Sequence, residues 1–268
     1  MKFEIAIPSY KRSQKLKNQT LAFLRTQPVE WNKITVFLKN DEELASYSND
    51  ISGVKFVVCH TEGLAQKRTF IRSYYPEGTL VLGLDDDIKR LKSVRPLEFV
   101  PFVERMFELA QQEGCSMWGL YPTNTTNLFY NKDRIAIGFQ FLVSCFYGFV
   151  ARPLTYPEFV ASGQDDKWLS LYTYKQEGKL LRYEGAVPDT TYQAVGGLSS
   201  VRKEHADKVE DGYKKLAEMF PDLCKYKIKK NGRPDVIFKR TNRIFIPLYS
   251  TQQETTTQQE SRCEADLD

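Results

Sequence analysis

Strand and helix alternate through the first ninety residues, and this alternation constrains the fold more than any other feature of the chain. Apolar, β-branched or aromatic runs at Lys2–Ile7, Ile34–Leu38, Val54–Cys59 and Thr79–Leu84 read as strands. Pro8 stops the first, and Asp85-Asp86-Asp87 stops the last. Between them, roughly Gln14–Arg25, Asp41–Tyr47 and Leu64–Tyr75 read as helices, with Leu64, Ile71 and Tyr75 at helical spacing. The order predicts an α/β fold of βαβ units around a largely parallel sheet, with ligands bound beyond the carboxyl ends of the strands.

The rest of the chain is more mixed. Pro101 opens a helix that carries Val103, Met106, Phe107 and Ala110 on one face, and Gly114 ends it. Aromatic-rich strands over Met117–Ala151 flank a loop near Asn124–Asn131. Helices follow from Asp165 or Asp166 to about Gln176, ended by Gly178, and over Val201–Phe220. The Gln/Thr/Glu-rich segment from about Ser250 predicts a disordered tail over 249–268 after one domain over 1–248, divided into a nucleotide-binding half (1–90) and an acceptor-side half (91–248).

With 268 residues, 41% of them hydrophobic, the chain can bury a sizeable core. Its longest apolar stretches, such as Phe139–Ala151, fall short of the ~20 residues a membrane helix needs. MKFEIAIPSY lacks the apolar core of a secretory signal, so a soluble cytoplasmic protein is expected. The five cysteines lie at least thirty positions apart, which encodes neither a disulfide framework nor a local zinc site. A net charge of +4 does not by itself announce a nucleic-acid partner, but it is unevenly spread: residues 225–243 carry +7 and residues 244–268 carry −4.

Three carboxylates at the end of an apolar strand repel one another unless a cation neutralises them, and Mg²⁺ is usually held by one or two carboxylates plus substrate phosphates. The triplet reads either as half of a metal-diphosphate site or as a solvated acidic turn. Gly63-Leu64-Ala65-Gln66-Lys67-Arg68 is a small-residue turn entering a helix whose N–H groups and two cations suit a diphosphate, or simply a charged helix face. His205 lies on an apolar helical stripe, which fits packing better than metal ligation, and His60 has no stronger case. Lys227, Lys229, Lys230 and Arg233 could track a DNA backbone or line a solvated sheet edge.

Ile5-Ala6-Ile7-Pro8-Ser9-Tyr10-Lys11-Arg12 resembles the first strand and loop of nucleotide-sugar-dependent glycosyltransferases of the GT-A fold. The Gly63–Arg68 block resembles their Gly-x-Ala-x-x-Arg helix start, and Leu84-Asp85-Asp86-Asp87 resembles their DXD motif. Within that fold, Val36-Phe37-Leu38 with Asp41-Glu42-Glu43 and Tyr47, Gly119-Leu120-Tyr121-Pro122 with Asn124 and Asn127, Phe146-Tyr147-Gly148, Gln164-Asp165-Asp166, and Tyr192 with Gly196-Gly197 look like the TET/JBP-associated glycosyltransferases. Those are phage, protist and algal enzymes linked to sugar addition on hydroxymethylated pyrimidines, hydroxymethyluracil among them, in DNA.

The resemblance implies a Rossmann-like mixed sheet with helices on both faces and a C-terminal α+β extension. It places Pro8, Tyr10 and Arg12 around the donor nucleobase and ribose, with Asp41 or Glu42 hydrogen-bonded to one of them. Lys67 and Arg68 would face the diphosphate or nucleotide of a UDP-sugar, Asp85 and Asp86 would lie against the donor, and Asp87, with Asp85, would ligate Mn²⁺ or Mg²⁺. In inverting members an acidic pair near a helix start supplies the general base, which implies Asp166, with Asp165 as the alternative. The competing reading of that pair is a helix cap. The partners implied are a nucleotide sugar and a DNA acceptor contacted by Lys227, Lys229, Lys230 and Arg233, with no membrane; Tyr121, Phe129 or Tyr130 could stack on a flipped base.

Overall fold

Four parallel strands, β1 (Glu4–Pro8), β2 (Ile34–Leu38), β3 (Lys55–Val58) and β4 (Leu80–Leu84), lie side by side in the order β3-β2-β1-β4. They come from a computed structural model that describes residues 1–122, 132–160, 164–190 and 206–249. The chain steps outward from β1 to β2 and β3, then returns to place β4 on the other side of β1. The crevice beyond the carboxyl ends of β1 and β4 is therefore a topological switch point, where open α/β sheets bind ligands. Pro8–Arg12 leaves one wall of that crevice and Asp85–Asp87 leaves the other.

Beyond β4 the sheet becomes mixed. The strands β6 (Met117–Leu120), β7 (Ile135–Gly138), β8 (Phe146–Val150), β9 (Leu180–Tyr183) and β13 (Arg243–Ile246) extend it to nine among the described residues, in the order β13-β7-β9-β6-β8-β4-β1-β2-β3. β8 runs antiparallel to β4, so its amino end lies beside the acidic triplet. Gly148 lets Trp118 lie across β8, since a Cβ there would stand 2.0 Å from the indole Nε1.

Helices cover both faces because side chains alternate along each strand. Ile5, Ile7, Val36 and Leu82 pack against α1 (Ser13–Asn18), α2 (Thr20–Arg25), α3 (Asp41–Asp50) and α5 (Phe99–Gln112). On the opposite face Ala6, Phe37 and Val81 share a core with α4 (Gly63–Tyr74), α6 (Asp165–Glu177) and α7 (Ala206–Met219). α7 and the hairpin of β11 (Cys224–Ile228) and β12 (Pro234–Phe238) form the C-terminal α+β extension, joined through Leu216, Cys224 and Val236. Among the described residues no helix is long and apolar enough to cross a membrane.

Two local features depart from the sequence reading. The helix expected over Gln14–Arg25 breaks at Gln19 (φ −121°, ψ −83°), and the hydroxyl of the next residue, Thr20, is taken up by the acidic turn. The triplet leads directly into a strand, β5 (Ile88–Ser93), paired antiparallel with β10 (Ala186–Thr190). Only Ile88 of β5 is fully buried, and Asp189 holds the ribbon through Arg90 and Lys92 at 3.0 and 3.2 Å, so no apolar period marks it. Asn124, Asn127, Phe129, Tyr130, Tyr192, Gly196, Gly197 and His205 lie outside the described residues, as does the tail from Ser250.

Candidate active site

The two walls of the crevice are joined by hydrogen bonds. Ser9 Oγ donates to Asp86 Oδ2 at 2.6 Å, and Arg12 Nη1 donates to Asp86 Oδ1 at 3.2 Å. With the Ser9 proton so used, Tyr47 donates its hydroxyl to Ser9 Oγ (2.8 Å) while accepting from Arg12 N (2.8 Å). Burial pushes the Tyr47 phenol up to about 12, which keeps it a neutral donor. Between these anchors Lys11 takes a left-handed conformation (φ 52°), unusual for a side chain of its size. Glu43 holds it there, accepting from Lys11 N at 2.7 Å and Lys39 N at 2.8 Å.

The acidic turn is fixed through its backbone. Asp85 N donates to Cys145 O (2.9 Å), and Thr20 Oγ1 donates to Asp85 O (2.7 Å) while accepting from Ile88 N (2.9 Å). The Asp85 side chain lies 3.6 Å from Arg68. Burial raises its carboxyl to about 8; Arg68 opposes the shift and Asp87, Asp86 and Asp166 add to it. Burial and then Asp86 also raise Asp87, against Lys15 at 3.8 Å and Arg12 at 3.7 Å.

A divalent ion fits this donor set in one specific way. Asp86 is committed to Ser9 and Arg12, which leaves Asp85 and Asp87 as two crowded, incompletely neutralised oxygen donors. Among the described residues no three His, Cys, Asp or Glu side chains converge on a metal position. Two carboxylates are what Mg²⁺ or Mn²⁺ takes from a protein when substrate phosphates and water complete its shell. The chain is thus suited to a metal shared with a diphosphate.

Arg68 joins the second acidic cluster to the first. It is 3% exposed, reaches Asp85 at 3.6 Å and Asp166 at 3.0 Å, donates to Ser144 O at 3.1 Å, and pairs directly with the buried Asp165. Two clusters eighty residues apart in sequence therefore meet around one guanidinium. Neither aspartate caps α6: Gln164 occupies the cap position and makes no side-chain cap bond. The bonds to Asp166, from Arg68, Ser144 N and Ser144 Oγ, all fall on Oδ1 among the described residues. Oδ2 of this partly exposed carboxylate takes none of these bonds.

The other expected residues fall as follows. Pro8 ends β1, and Tyr10 lies under the Lys11 and Lys39 ammonium groups at 5.4 and 5.8 Å from its ring. Asp41 and Glu42 are exposed in the first turn of α3. Lys67 turns inward, donating to Ser9 O (2.6 Å) and Phe37 O (3.3 Å), and thereby ties the ends of β1 and β2 together. Lys227, Lys229, Lys230 and Arg233 are exposed on the β11–β12 hairpin. Asp235 pairs with both Lys167 of α6 and Lys229, which docks the hairpin beside the helix that carries Asp166.

Sequence reasoning missed Lys15 and Ser144 and gave Glu43 no role. Glu43 had a signal, because Asn40-x-x-Glu43 is a capping-box pattern and Asn40 Oδ1 does accept from Glu43 N at 3.0 Å. Lys15 and Ser144 had none.

The chain is similar to residues 1–349 of S. aureus TarS solved with UDP-GlcNAc, at 11% identity over 81% of this chain and 67% of that one, with a TM-score of 0.52. The fold is GT-A. A second TarS structure matches at 14% identity and a TM-score of 0.46, over 69% of this chain; the chain spans 58% of that structure's length. Glucosyl-3-phosphoglycerate synthase from Mycobacterium tuberculosis, solved with Mn²⁺, UDP and phosphoglyceric acid, matches at 11% identity over 91% of this chain and 89% of that one, with a TM-score of 0.49. No protein-family model matches the chain, and no curated protein matches it.

Proposed function

We propose that this chain is an inverting glycosyltransferase that moves a sugar from a nucleoside diphosphate, UDP, to the hydroxyl of a hydroxymethylated pyrimidine in DNA. The meeting of the two acidic clusters across Arg68 at the switch point carries this reading. One cluster suits the donor and the other suits the acceptor.

Tyr10 and Arg12 would face the donor nucleobase and ribose, and the exposed Asp41 would hydrogen-bond one of them. Asp85 and Asp87 would hold Mn²⁺ or Mg²⁺, which when bound neutralises charge on the departing diphosphate. Lys15 and Arg12, beside Asp87, add positive charge on the same side. Asp166 Oδ2 takes the proton of the acceptor hydroxyl as that oxygen bonds to the anomeric carbon and the bond to the β-phosphate oxygen breaks. Arg68 and Ser144 keep the base oriented through Oδ1. A base on the face opposite the leaving group is what inversion requires.

The hairpin supports a polyanionic acceptor. Lys227, Lys230 and Arg233 lie on a ribbon fastened through Asp235 to α6, the helix that carries Asp166, and would contact the phosphates of a bound strand. Lys229 is committed to Asp235. A base inside a duplex would have to leave the stack to reach this carboxylate. The test is to incubate the chain with Mn²⁺, a panel of nucleotide sugars and DNA containing 5-hydroxymethylpyrimidines, then weigh the released nucleosides. A mass gain of one glycosyl unit is the expected result. Transfer to a glycan with none to DNA would overturn the acceptor, and no turnover with any donor would overturn the enzyme.

A further inference from the structure

Away from the acidic clusters, aromatic rings and guanidinium groups line one border of the sheet. β6 and β9 run parallel, and β6 is antiparallel to β8, which is antiparallel to β4. The carboxyl ends of β6 and β9, with the amino end of β7, therefore share the edge that carries Asp85 and Asp87. Side chains alternate along a strand. Leu181 and Tyr183 face the core beneath α5, so Arg182 between them faces α6, the helix of Asp166. Phe245 faces the same way, since its partner Ala136 alternates with Ile135 and Ile137 of that core.

These side chains form a continuous row. The Tyr121 ring, just past β6, has the Arg182 guanidinium at 5.1 Å and the Lys132 ammonium at 5.4 Å. Arg182 donates to Glu184 at 2.8 Å, Arg134 donates to the other oxygen of Glu184 at 2.9 Å, and the Arg134 guanidinium stands 3.8 Å from the centre of the Phe245 ring. Toward the acidic clusters, Arg182 Nη1 donates to Phe141 O at 3.0 Å, in the segment that leads to Ser144 and its bonds to Asp166. The row is open to solvent: Phe245 is 44% exposed, the one exposed phenylalanine among the described residues, and the Arg134 side chain is 41% exposed. It also keeps positive charge. Arg134, Arg182 and Arg243 share the single carboxylate of Glu184, and the neighbouring Asp133 is paired with Arg95.

Rings interleaved with cations suit unpaired nucleic acid, whose bases stack on aromatic or guanidinium planes while its phosphates meet the charges. A duplex hides its base faces and would leave Phe245 without a partner. At ~4.8 Å per strand, Tyr121 lies roughly 10 Å and Phe245 roughly 24 Å along the edge from β4. A strand crossing that edge meets Phe245, then Tyr121, then the crevice. We infer, resting on the DNA acceptor proposed above, that this row seats the bases of a single-stranded acceptor next to the one presented to Asp166. Phe245 and Tyr121 are the stacking platforms, and Lys132 and the exposed Arg243 meet phosphates.

The full chain, without metal or nucleotide sugar, is titrated by fluorescence anisotropy with three labelled probes: a short oligothymidylate, its duplex with oligoadenylate, and an abasic strand carrying the same phosphates. Oligothymidylate should bind at least about tenfold more tightly than the abasic strand, and more tightly than the duplex. Tyr121→Ala with Phe245→Ala should weaken oligothymidylate at least about tenfold and leave both its salt slope and abasic binding as in wild type, because stacking releases no counterions. Lys132→Ala should instead flatten the slope by about 0.7. If the double variant fails to fold, Phe245→Leu, which keeps apolar bulk without the ring, still decides: it should weaken oligothymidylate by about threefold or more. Equal binding of the abasic strand, tighter binding of the duplex, or affinity blind to the ring substitutions would overturn the row. Ring-dependent binding without transfer to 5-hydroxymethylpyrimidine DNA supports the row and removes the proposed acceptor chemistry. Transfer to such DNA at a rate unmoved by the ring substitutions removes the row and keeps the acceptor.

Discussion

Replacing Arg68 by methionine should destabilise the chain more than any exposed charge substitution. The side chain is 3% exposed and its partner Asp165 is 2% exposed, so methionine fills much of the volume but strands a buried carboxylate. Breaking a buried pair from one side costs about 3–5 kcal/mol. Asp166 and Asp85, at 3.0 and 3.6 Å, lose the same cation. For a chain of this size the loss corresponds to a fall in Tm of roughly 6–20 °C. Arg68→Lys keeps the charge without the fork that reaches three carboxylates and Ser144 O, and should fall between wild type and methionine.

Urea denaturation of Arg68→Met, Asp165→Asn and the double variant closes a cycle. Asparagine removes the stranded charge, so the double variant should be less destabilised than the two single losses summed, with a coupling of about 1–3 kcal/mol. A methionine variant within about 1 kcal/mol of wild type, or additive losses, would refute the view that one guanidinium holds the two clusters together.

Other consequences are simpler. Gly148→Ala places a methyl 2.0 Å from Trp118 Nε1 in the middle of the sheet and should cost about 1–3 kcal/mol in denaturant titration, while Gly178→Ala, with open space but φ 73°, should cost less. Burial pushes Cys224 up to about 11 and Cys115 up to about 12, and raises Cys59 and, strongly, Cys145. Because the thiolate is the nucleophile, iodoacetamide at pH 8 should leave the buried Cys59, Cys115 and Cys224 unmodified in the native chain and label them in urea, as peptide mass mapping would show; rapid native labelling of any of these three would contradict its burial. If DNA is the acceptor, Lys230→Glu with Arg233→Glu should weaken binding and flatten its salt dependence, with folding preserved because neither residue serves the Asp235 anchor; a salt slope unchanged from wild type would remove the hairpin as the contact.

The parallel half of the sheet was legible because β1, β2 and β4 are buried on both faces and read as largely apolar runs, with Pro8 ending β1 and Asp85 following β4. α6 was legible from its acidic start and from Gly178, which takes the left-handed conformation at its end. β5 was not, since only Ile88 of its six residues is fully buried and the charged Lys89, Arg90 and Lys92 leave no apolar period along it. The triplet was legible as a cluster but not as a division of labour. Only the fold shows that Asp86 is turned to Ser9 and Arg12 while Asp85 and Asp87 stay available. Lys67 and Arg68 look alike in sequence, yet one fastens strand ends and the other bridges carboxylates, because successive residues of a helix point 100° apart.

The central claim is that the two acidic clusters divide one reaction, Asp87 serving the donor and Asp166 the acceptor. Measuring Mn²⁺-dependent UDP binding and sugar transfer side by side in Asp87→Ala and Asp166→Asn tests it most directly. Asp87→Ala should lose the Mn²⁺-dependent part of UDP affinity, whereas Asp166→Asn should bind UDP within about twofold of wild type and transfer roughly 10²–10⁴-fold more slowly. Full transfer by Asp166→Asn, or full Mn²⁺-dependent UDP affinity in Asp87→Ala, would contradict the account.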